Sequence, residues 1–201
     1  MKFAHIEKTS LLDYPNRIST VLFTVGCNFR CPFCYNRRLV LPEEFPSENT
    51  LLDDEYVLKV LEKRKRYIDA VAITGGEPLL HEEIIDFLSK LKENGFHVKI
   101  DTNGSFPERL KNIIDNHLVD YIAMDIKNSP DRYPESIGVD VDLDRIKKSI
   151  ECIKSMAEKG VIDYEFRVTV VPGLHTVEDV SAMFKWIGTV SYTHLTLPTK
   201  A

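Results

Sequence analysis

Three cysteines stand close together directly after an apolar segment. Cys27, Cys31 and Cys34 form a C-x3-C-x2-C pattern, and three thiolates on one loop can hold an iron-sulfur cluster. Because such clusters usually take four protein ligands, a triplet leaves one iron open, and we expect a substrate to bind there. A zinc site is the alternative, but it needs a fourth Cys or His nearby, and Tyr35 follows the last cysteine.

A glycine-rich turn follows the next predicted strand, in the run Thr74-Gly75-Gly76-Glu77-Pro78. Gly75 and Gly76 lack a Cβ, so the backbone can approach a small ligand closely. Glu77 and the local carbonyl groups offer acceptors for an ammonium or amine group. Alone, this run is typical of an ordinary turn between a strand and a helix. Because this run follows the cysteine triplet by one crossover, it instead predicts a ligand site.

Charged residues lie at the ends of later predicted strands. Asp101, Asp125 and Lys127 end two successive strands, and Arg167 lies on the fifth. A solvated charged rim and a functional site both fit this pattern. The fourth cysteine, Cys152, lies in an amphipathic stretch, which indicates a buried or half-buried free thiol.

The composition of the 201 residues limits the class of protein. A net charge of −5 gives no general attraction to nucleic acid, and 43% hydrophobic with 28% charged residues is typical of a globular protein. We find neither a signal peptide nor a membrane-spanning apolar stretch. The clustered cysteines do not resemble a disulfide framework. We therefore expect a cytoplasmic protein that binds neither membranes nor nucleic acid.

Short β-branched runs alternate with longer amphipathic runs along the chain, which predicts one α/β unit. The expected strands are 18–25, 70–74, 97–102, 121–126 and 164–171, and the expected helices are 53–66, 82–94, 107–117, 143–159 and 177–187. Strands separated by helices imply parallel crossovers, and the loops after such strands carry the chemistry. Each motif named above lies at such a strand end.

The last twelve residues, 190–201, break this alternation. They resemble the translation of a common sequencing adaptor. We expect them to be a non-native tail on a C-terminally truncated domain that covers residues 1–189.

The cysteine triplet, with Phe33 before its last cysteine, and the Gly-Gly-Glu turn together resemble the radical S-adenosylmethionine enzymes. The resemblance runs from Lys8–Pro15 through Asp101–Gly104 and Met124–Lys127 to Arg167–Gly173. Within that superfamily the chain is most similar to the anaerobic ribonucleoside-triphosphate reductase activating proteins, with pyruvate formate-lyase activating enzymes as close relatives. Tyr35 departs from a common pattern, since many activating enzymes have His there.

The resemblance implies a partial (β/α)6 barrel, here expected to lack its last strand because only five strands are predicted. It also implies a [4Fe-4S] cluster on Cys27, Cys31 and Cys34, and S-adenosylmethionine as the second cofactor. The residues implied to contact S-adenosylmethionine are Gly75, Gly76, Glu77, Asp101, Lys127 and Arg167. A monovalent cation beside the cofactor carboxylate is implied for Asp101, Thr102 and Asp125. No residue is expected to act as a catalytic acid, base or nucleophile.

The implied activity is reductive cleavage of S-adenosylmethionine, which generates a glycyl radical on a partner enzyme in anaerobic metabolism. The expected partner is anaerobic ribonucleotide reductase, and a flavodoxin- or ferredoxin-type protein is the expected electron donor. Three alternatives that contain iron stay open: a pyruvate formate-lyase-type activating enzyme, a small-molecule enzyme of deazapurine synthesis, and, from a different class, an iron-sulfur electron-transfer protein. A zinc-binding interaction module is the alternative that lacks iron.

Overall fold

Eight strands form one sheet in the computed structural model, which describes residues 1–188 and the backbone of 193–196. The strands are β1 (Lys2–Ser10), β2 (Ser19–Thr24), β3 (Leu52–Asp53), β4 (Ala70–Gly75), β5 (His97–Thr102), β6 (Tyr121–Asp125), β7 (Asp163–Thr169) and β8 (Thr193–Thr196). Their order in the sheet is β3-β1-β2-β4-β5-β6-β7-β8. From β2 to β8 neighbouring strands are parallel, whereas β1 pairs antiparallel with both β2 and β3.

Helices alternate with the parallel strands, as the sequence predicts. They are α1 (Asp54–Arg64), α2 (Ile84–Glu93), α3 (Pro107–Asp115), α4 (Tyr133–Ile137), α5 (Leu143–Glu158) and α6 (Val177–Ile187). The α/β class and the partial (β/α)6 barrel are thus confirmed, with short 3-10 turns in several loops. Within the described residues, no helix is both long enough and apolar enough to cross a membrane.

The expectation that the last strand is missing is wrong. The backbone of β8 pairs in parallel with β7, from Phe166 opposite Thr193 to Thr169 opposite Thr196, so β7 has a neighbour on each side. A short segment after α6 is enough to supply this sixth parallel strand. The rest of the predicted non-native tail (190–192 and 197–201) lies outside the described residues, and its origin stays a prediction.

The core lies between the sheet and its helices, because each helix has one apolar face. In α2 this face consists of Ile84, Phe87, Leu88 and Leu91, all buried. The middle of β4 is buried on both sides of the sheet and is correspondingly an unbroken apolar run. Burial on both faces fixes the strand positions and therefore the places where the strands end.

Side-chain and backbone caps fix where several helices begin. The side chain of Asp53 accepts a hydrogen bond from the Tyr56 N–H at the start of α1. Thr176 and Asp179 form a reciprocal capping box at the start of α6. The box at α6 ends the loop that follows β7 and so limits the length of chain available there at the carboxyl edge of the sheet.

Candidate functional site

A cavity of about 310 Å³ opens at the carboxyl ends of the parallel strands. Parallel α/β folds place their binding sites at this edge. The structure brings all the predicted site residues to this cavity: Cys27, Cys31, Cys34, Gly75, Gly76, Glu77, Asp101, Thr102, Asp125, Lys127 and Arg167. A larger, open groove lies at the amino ends of β5, β6 and β7 and contains none of them.

The cysteine loop, residues 26–36, follows β2 and faces the cavity. Its three cysteines are half-buried free thiols. Burial raises the pKa of Cys27 to about 12 and also raises the pKa of Cys31. The Sγ of Cys27 accepts a hydrogen bond from the Phe29 N–H at 3.4 Å. Among residues 1–188, no three Cys, His, Asp or Glu side chains converge on one metal ion. A four-iron cluster is larger than one ion and needs a cavity that the thiols share.

Backbone hydrogen bonds from distant parts of the chain hold the cysteine loop in place. The Gly26 N–H donates to the Leu39 carbonyl at 2.7 Å, and the Arg30 N–H donates to the Ile137 carbonyl at 2.7 Å. Gly138 has a φ of +67°, and a Cβ there would stand 2.6 Å from the Arg30 carbonyl oxygen. Only glycine therefore allows the end of α4 to approach the loop this closely.

The Gly-Gly-Glu turn packs directly against the start of the cysteine loop. A Cβ on Gly76 would stand 1.9 Å from the Gly26 carbonyl oxygen, and a Cβ on Gly75, whose φ is +109°, would stand 2.5 Å from the Thr24 nitrogen. The Glu77 N–H donates to the Gly26 carbonyl at 2.8 Å. From the sequence, the two glycines are expected to allow the close approach of a ligand. In the structure, the neighbouring backbone by itself requires both of them.

Glu77 is almost fully buried and connects the turn after β4 to the loop after β5. Its Oε1 accepts hydrogen bonds from the Thr102 hydroxyl at 2.7 Å and the Leu79 N–H at 3.0 Å, and its Oε2 accepts one from the Asn103 N–H at 2.7 Å. Burial outweighs these three bonds and raises the pKa of Glu77 to about 7. A carboxylate has about four acceptor positions, so most of this group's capacity serves the protein itself.

A row of alternating charges reaches the floor of the cavity, and we call Lys99, Asp101, Arg167, Asp125 and Lys127 the charged row. All of them except Lys99 line the cavity. Arg167 bridges the two acids, with Nη1 at 3.0 Å from Asp101 Oδ2 and Nε at 2.9 Å from Asp125 Oδ1. Lys127 Nζ donates to Asp125 Oδ2 at 2.9 Å. Strand register explains the bridge, because Asp125 and Arg167 are direct partners of β6 and β7.

The charged row keeps both aspartates ionised. Burial raises the pKa of Asp125, but Arg167 and Lys127 together outweigh burial and lower that pKa below its ordinary value. Arg167 and Lys99 do the same for Asp101. Asp101 Oδ1 lies 3.0 Å from Lys99 Nζ, yet it has no partner in hydrogen-bond geometry among the described residues. The two aspartates use only part of the eight N–H donors of Arg167 and Lys127.

Sequence reasoning missed Lys99, which is 97% buried beside Asp101 and lies 3.6 Å from the buried Glu165. A lysine between the apolar Val98 and Ile100 in the middle of β5 was the available signal. Lys99 and Asp101 are two residues apart on one strand, so they share a face of the sheet.

Sequence reasoning also gave no role to Asn28, Asn103 and Ser105, whose side chains form a closed ring of hydrogen bonds. Ser105 Oγ donates to Asn103 Oδ1 at 2.6 Å, Asn103 Nδ2 donates to Asn28 Oδ1 at 3.0 Å, and Asn28 Nδ2 donates to Ser105 Oγ at 2.9 Å. Asn103 Nδ2 also lies 3.8 Å from the Sγ of Cys27. The position of Asn28 directly after a cysteine was a signal for this contact.

Two histidines near the cavity bind backbone carbonyl groups. His81 Nε2 lies 2.7 Å from the Val25 carbonyl. His175 Nδ1 accepts the Val171 N–H at 3.0 Å, so its Nε2 carries the hydrogen that reaches the Lys127 carbonyl at 2.8 Å. The sequence gives no reason to make either histidine catalytic, and both have a structural contact that accounts for them.

Comparison with known proteins gives the family. The sequence profile of the Radical SAM superfamily matches residues 21–187. A proposed glycyl-radical enzyme activating enzyme of Methanocaldococcus jannaschii is 35% identical over 185 residues, which cover 90% of this chain and 73% of that protein. A pyruvate formate-lyase-activating enzyme of Clostridium pasteurianum is 37% identical over 136 residues, which cover 63% of this chain and 52% of that enzyme.

The fold also matches a solved structure. QueE from Escherichia coli superposes with a TM-score of 0.62 over 98% of this chain and 84% of that chain, at 15% identity. At this identity the likeness concerns the fold alone. Enzymes of the matching superfamily use a [4Fe-4S] cluster and S-adenosylmethionine, and the predicted cofactors agree with this. The profile match covers most of the chain, and the chain belongs to the Radical SAM superfamily.

Proposed function

We propose that this protein is an activating enzyme that reductively cleaves S-adenosylmethionine and generates a glycyl radical on a partner enzyme. The observation that carries the proposal is the shared cavity, which joins the cysteine loop to the Gly-Gly-Glu turn and the charged row. Its volume of about 310 Å³ falls within the range of small-molecule sites. The similarity to activating enzymes supports the reaction class.

In this proposal Cys27, Cys31 and Cys34 hold the [4Fe-4S] cluster. The donor set fits, because all three thiols line one cavity and none is tied up in a disulfide. When bound, the cluster supplies the electron that breaks the sulfonium bond of S-adenosylmethionine. Cys27 and Cys31 must lose protons to become ligands. Burial opposes that loss in the metal-free protein, so cluster binding and thiol deprotonation are coupled.

The remaining predicted residues orient S-adenosylmethionine. The backbone at Gly75 and Gly76 faces the cavity and offers carbonyl acceptors to the amine, with Glu77 fixing the turn from behind. Lys127 and Arg167 retain donors for the cofactor carboxylate. Asp101, Thr102 and Asp125 are the proposed ligands of the monovalent cation, although Asp101 Oδ1 already lies 3.0 Å from the Lys99 ammonium. Thr102 and Asp125 also already bond to neighbouring side chains, so a cation would share all three ligands with existing partners.

The proposed partner is a large protein, with anaerobic ribonucleotide reductase as the first choice. The mouth of the cavity supports access by a bulky substrate, because Tyr35 lines the cavity and is 90% exposed. A flavodoxin- or ferredoxin-type protein is the proposed electron donor. We place the reaction in the cytoplasm, where free cysteines stay reduced.

The test is anaerobic reconstitution with iron and sulfide, followed by addition of dithionite and S-adenosylmethionine. Formation of 5'-deoxyadenosine and methionine supports the reaction class. A reducible cluster without these products indicates an electron-transfer protein instead. A colourless protein that takes up zinc rather than iron rejects the proposal altogether.

The partner is tested separately, by electron paramagnetic resonance after addition of anaerobic ribonucleotide reductase or pyruvate formate-lyase. A glycyl-radical doublet on one of them identifies the partner. If 5'-deoxyadenosine forms but neither partner gains a radical, the assignment to activating enzymes loses its support. The small-molecule alternative, an enzyme of deazapurine synthesis, is then tested by a search for a deazapurine product.

A further inference from the structure

The ring of hydrogen bonds formed by Asn28, Asn103 and Ser105 joins two loops of the cavity. Asn28 belongs to the cysteine loop, and the other two residues belong to the loop after β5. Asn103 is 6% exposed and Ser105 is 3% exposed. Water therefore cannot readily replace the bonds of the ring, and each side chain is held by both of the others.

The ring fixes which end of the Asn103 amide points to Cys27. Asn103 Oδ1 accepts two hydrogen bonds, from the Ser105 N–H at 2.9 Å and the Ser105 hydroxyl at 2.6 Å. A flipped amide would place its NH2 group against the Ser105 N–H, which can only donate. Nδ2 must therefore point toward Asn28 Oδ1 and Cys27 Sγ.

We propose that Asn103 is a positioning residue that donates a hydrogen bond to the Cys27 thiolate and thereby raises the reduction potential of the cluster. This inference rests on the proposed function, in which Cys27 is a cluster ligand. The reduced cluster carries one more negative charge than the oxidised cluster, so an N–H donor at a ligand sulfur stabilises the reduced form more. Such contacts with ligand sulfurs are a principal means by which proteins set cluster potentials.

The Phe29 N–H is a second donor to the same sulfur, at 3.4 Å. That donor is a backbone N–H of the cysteine loop, so it is present in any loop with this backbone conformation. The Asn103 donor comes from the loop after β5 and depends on its side chain. It can therefore be removed without a change in the sequence of the cysteine loop.

The test compares midpoint potentials measured by anaerobic redox titration, with the reduced cluster followed by electron paramagnetic resonance. Asn103→Asp keeps the size of the side chain and its acceptor for Ser105, but it replaces the NH2 donor with oxygen and adds a negative charge. A second variant without a change of charge is therefore needed. Ser105→Ala opens the ring and leaves the Asn103 amide in place. The matched control is Asn116→Asp, the same chemical change at an exposed residue after α3.

We expect Asn103→Asp to make cluster reduction about tenfold less favourable, a fall of ~59 mV for one electron. Ser105→Ala should lower the potential by a smaller amount, and Asn116→Asp should not change it. Wild-type potentials in both ring variants, at wild-type iron and sulfide content, overturn the inference. If Asn103→Asp holds no cluster, the potential of Ser105→Ala decides the question alone. A wild-type protein that binds no cluster refutes the proposed function itself, which is a distinct result.

Discussion

The Gly26 carbonyl oxygen packs so closely against Gly76 that a Cβ on Gly76 would lie only 1.9 Å from this oxygen. The loop that carries the cysteines and the turn that carries Glu77 therefore meet backbone to backbone. No side chain intervenes whose rotation could make room for a larger residue. The geometry of the predicted cluster site and that of the predicted S-adenosylmethionine site depend on each other at this contact.

We expect Gly76→Ala to displace the cysteine loop and to reduce bound iron at least tenfold after reconstitution. Iron and sulfide analysis measures this loss. The matched control is Gly160→Ala, because Gly160 also lies in a turn but a Cβ there would meet nothing within 4 Å. Gly160 has a φ of +70°, so the control should lose about 1 kcal/mol of stability and keep its iron. Full iron binding by Gly76→Ala would contradict the steric argument.

The cysteines provide their own control. Replacement of Cys27, Cys31 or Cys34 by alanine should abolish the visible absorption of the cluster and the formation of 5'-deoxyadenosine. Cys152→Ala should retain both, because Cys152 lies in α5 and does not line the cavity. A loss of iron in Cys152→Ala at unchanged stability would show that a ligand has been assigned wrongly.

Arg167→Met should destabilise the fold by about 3 kcal/mol, because it leaves two largely buried aspartates without their shared cation. A quarter of the Arg167 side chain is exposed, which favours the lower end of the range for a broken buried ion pair. Denaturant unfolding measures the change. Arg37→Met is the control, since the Arg37–Glu44 pair lies at the surface and its loss should change the stability far less. Equal losses in the two variants would refute a special role for the bridge.

Glu77 should make the folded state less stable as the pH rises from about 4.5 to about 7. The folded protein holds the Glu77 proton more tightly than the unfolded chain does, because burial raises its pKa to about 7. The stabilising contribution is therefore complete below the unfolded pKa and is lost as the pH passes the folded pKa, by roughly 3 kcal/mol in total.

The measurement is the free energy of unfolding against pH for the wild type and for Glu77→Gln. The variant leaves at least one of the three hydrogen-bond donors unsatisfied and should be less stable at low pH. Its deficit should shrink as the pH approaches 7, because glutamine does not titrate. A deficit that stays constant between pH 4.5 and 7 would show that Glu77 does not hold its proton.

The sequence predicts much of this fold because its helices and parallel strands have clear apolar patterns. Strand 97–102 and helix 177–187 have the predicted bounds. Strand β1 was missed because only one of its nine residues is fully buried, so it lacks a core-facing stripe. Helix α4 was missed because it has five residues and a proline near its start.

The site could be predicted as a set of residues but not as a set of contacts. The cysteine spacing and the Gly-Gly-Glu run are local motifs, so each indicates the site residues of a single loop. The bridge from Arg167 to Asp101 and Asp125 depends on the relative register of β5, β6 and β7, which local patterns do not specify. The contact between Asn103 and Cys27 likewise exists only once two loops distant in sequence are brought together.

The anchoring of the cysteine loop has a consequence for the order of assembly. The loop is held by Leu39, by Glu77 and, through Arg30, by Ile137, so its final shape depends on chain that follows it by as many as a hundred residues. A nascent peptide that carries only the cysteines therefore lacks the walls of the cavity. We therefore expect the chain to retain iron and sulfide only after it has folded through α4, which would make maturation of the metal centre a late step.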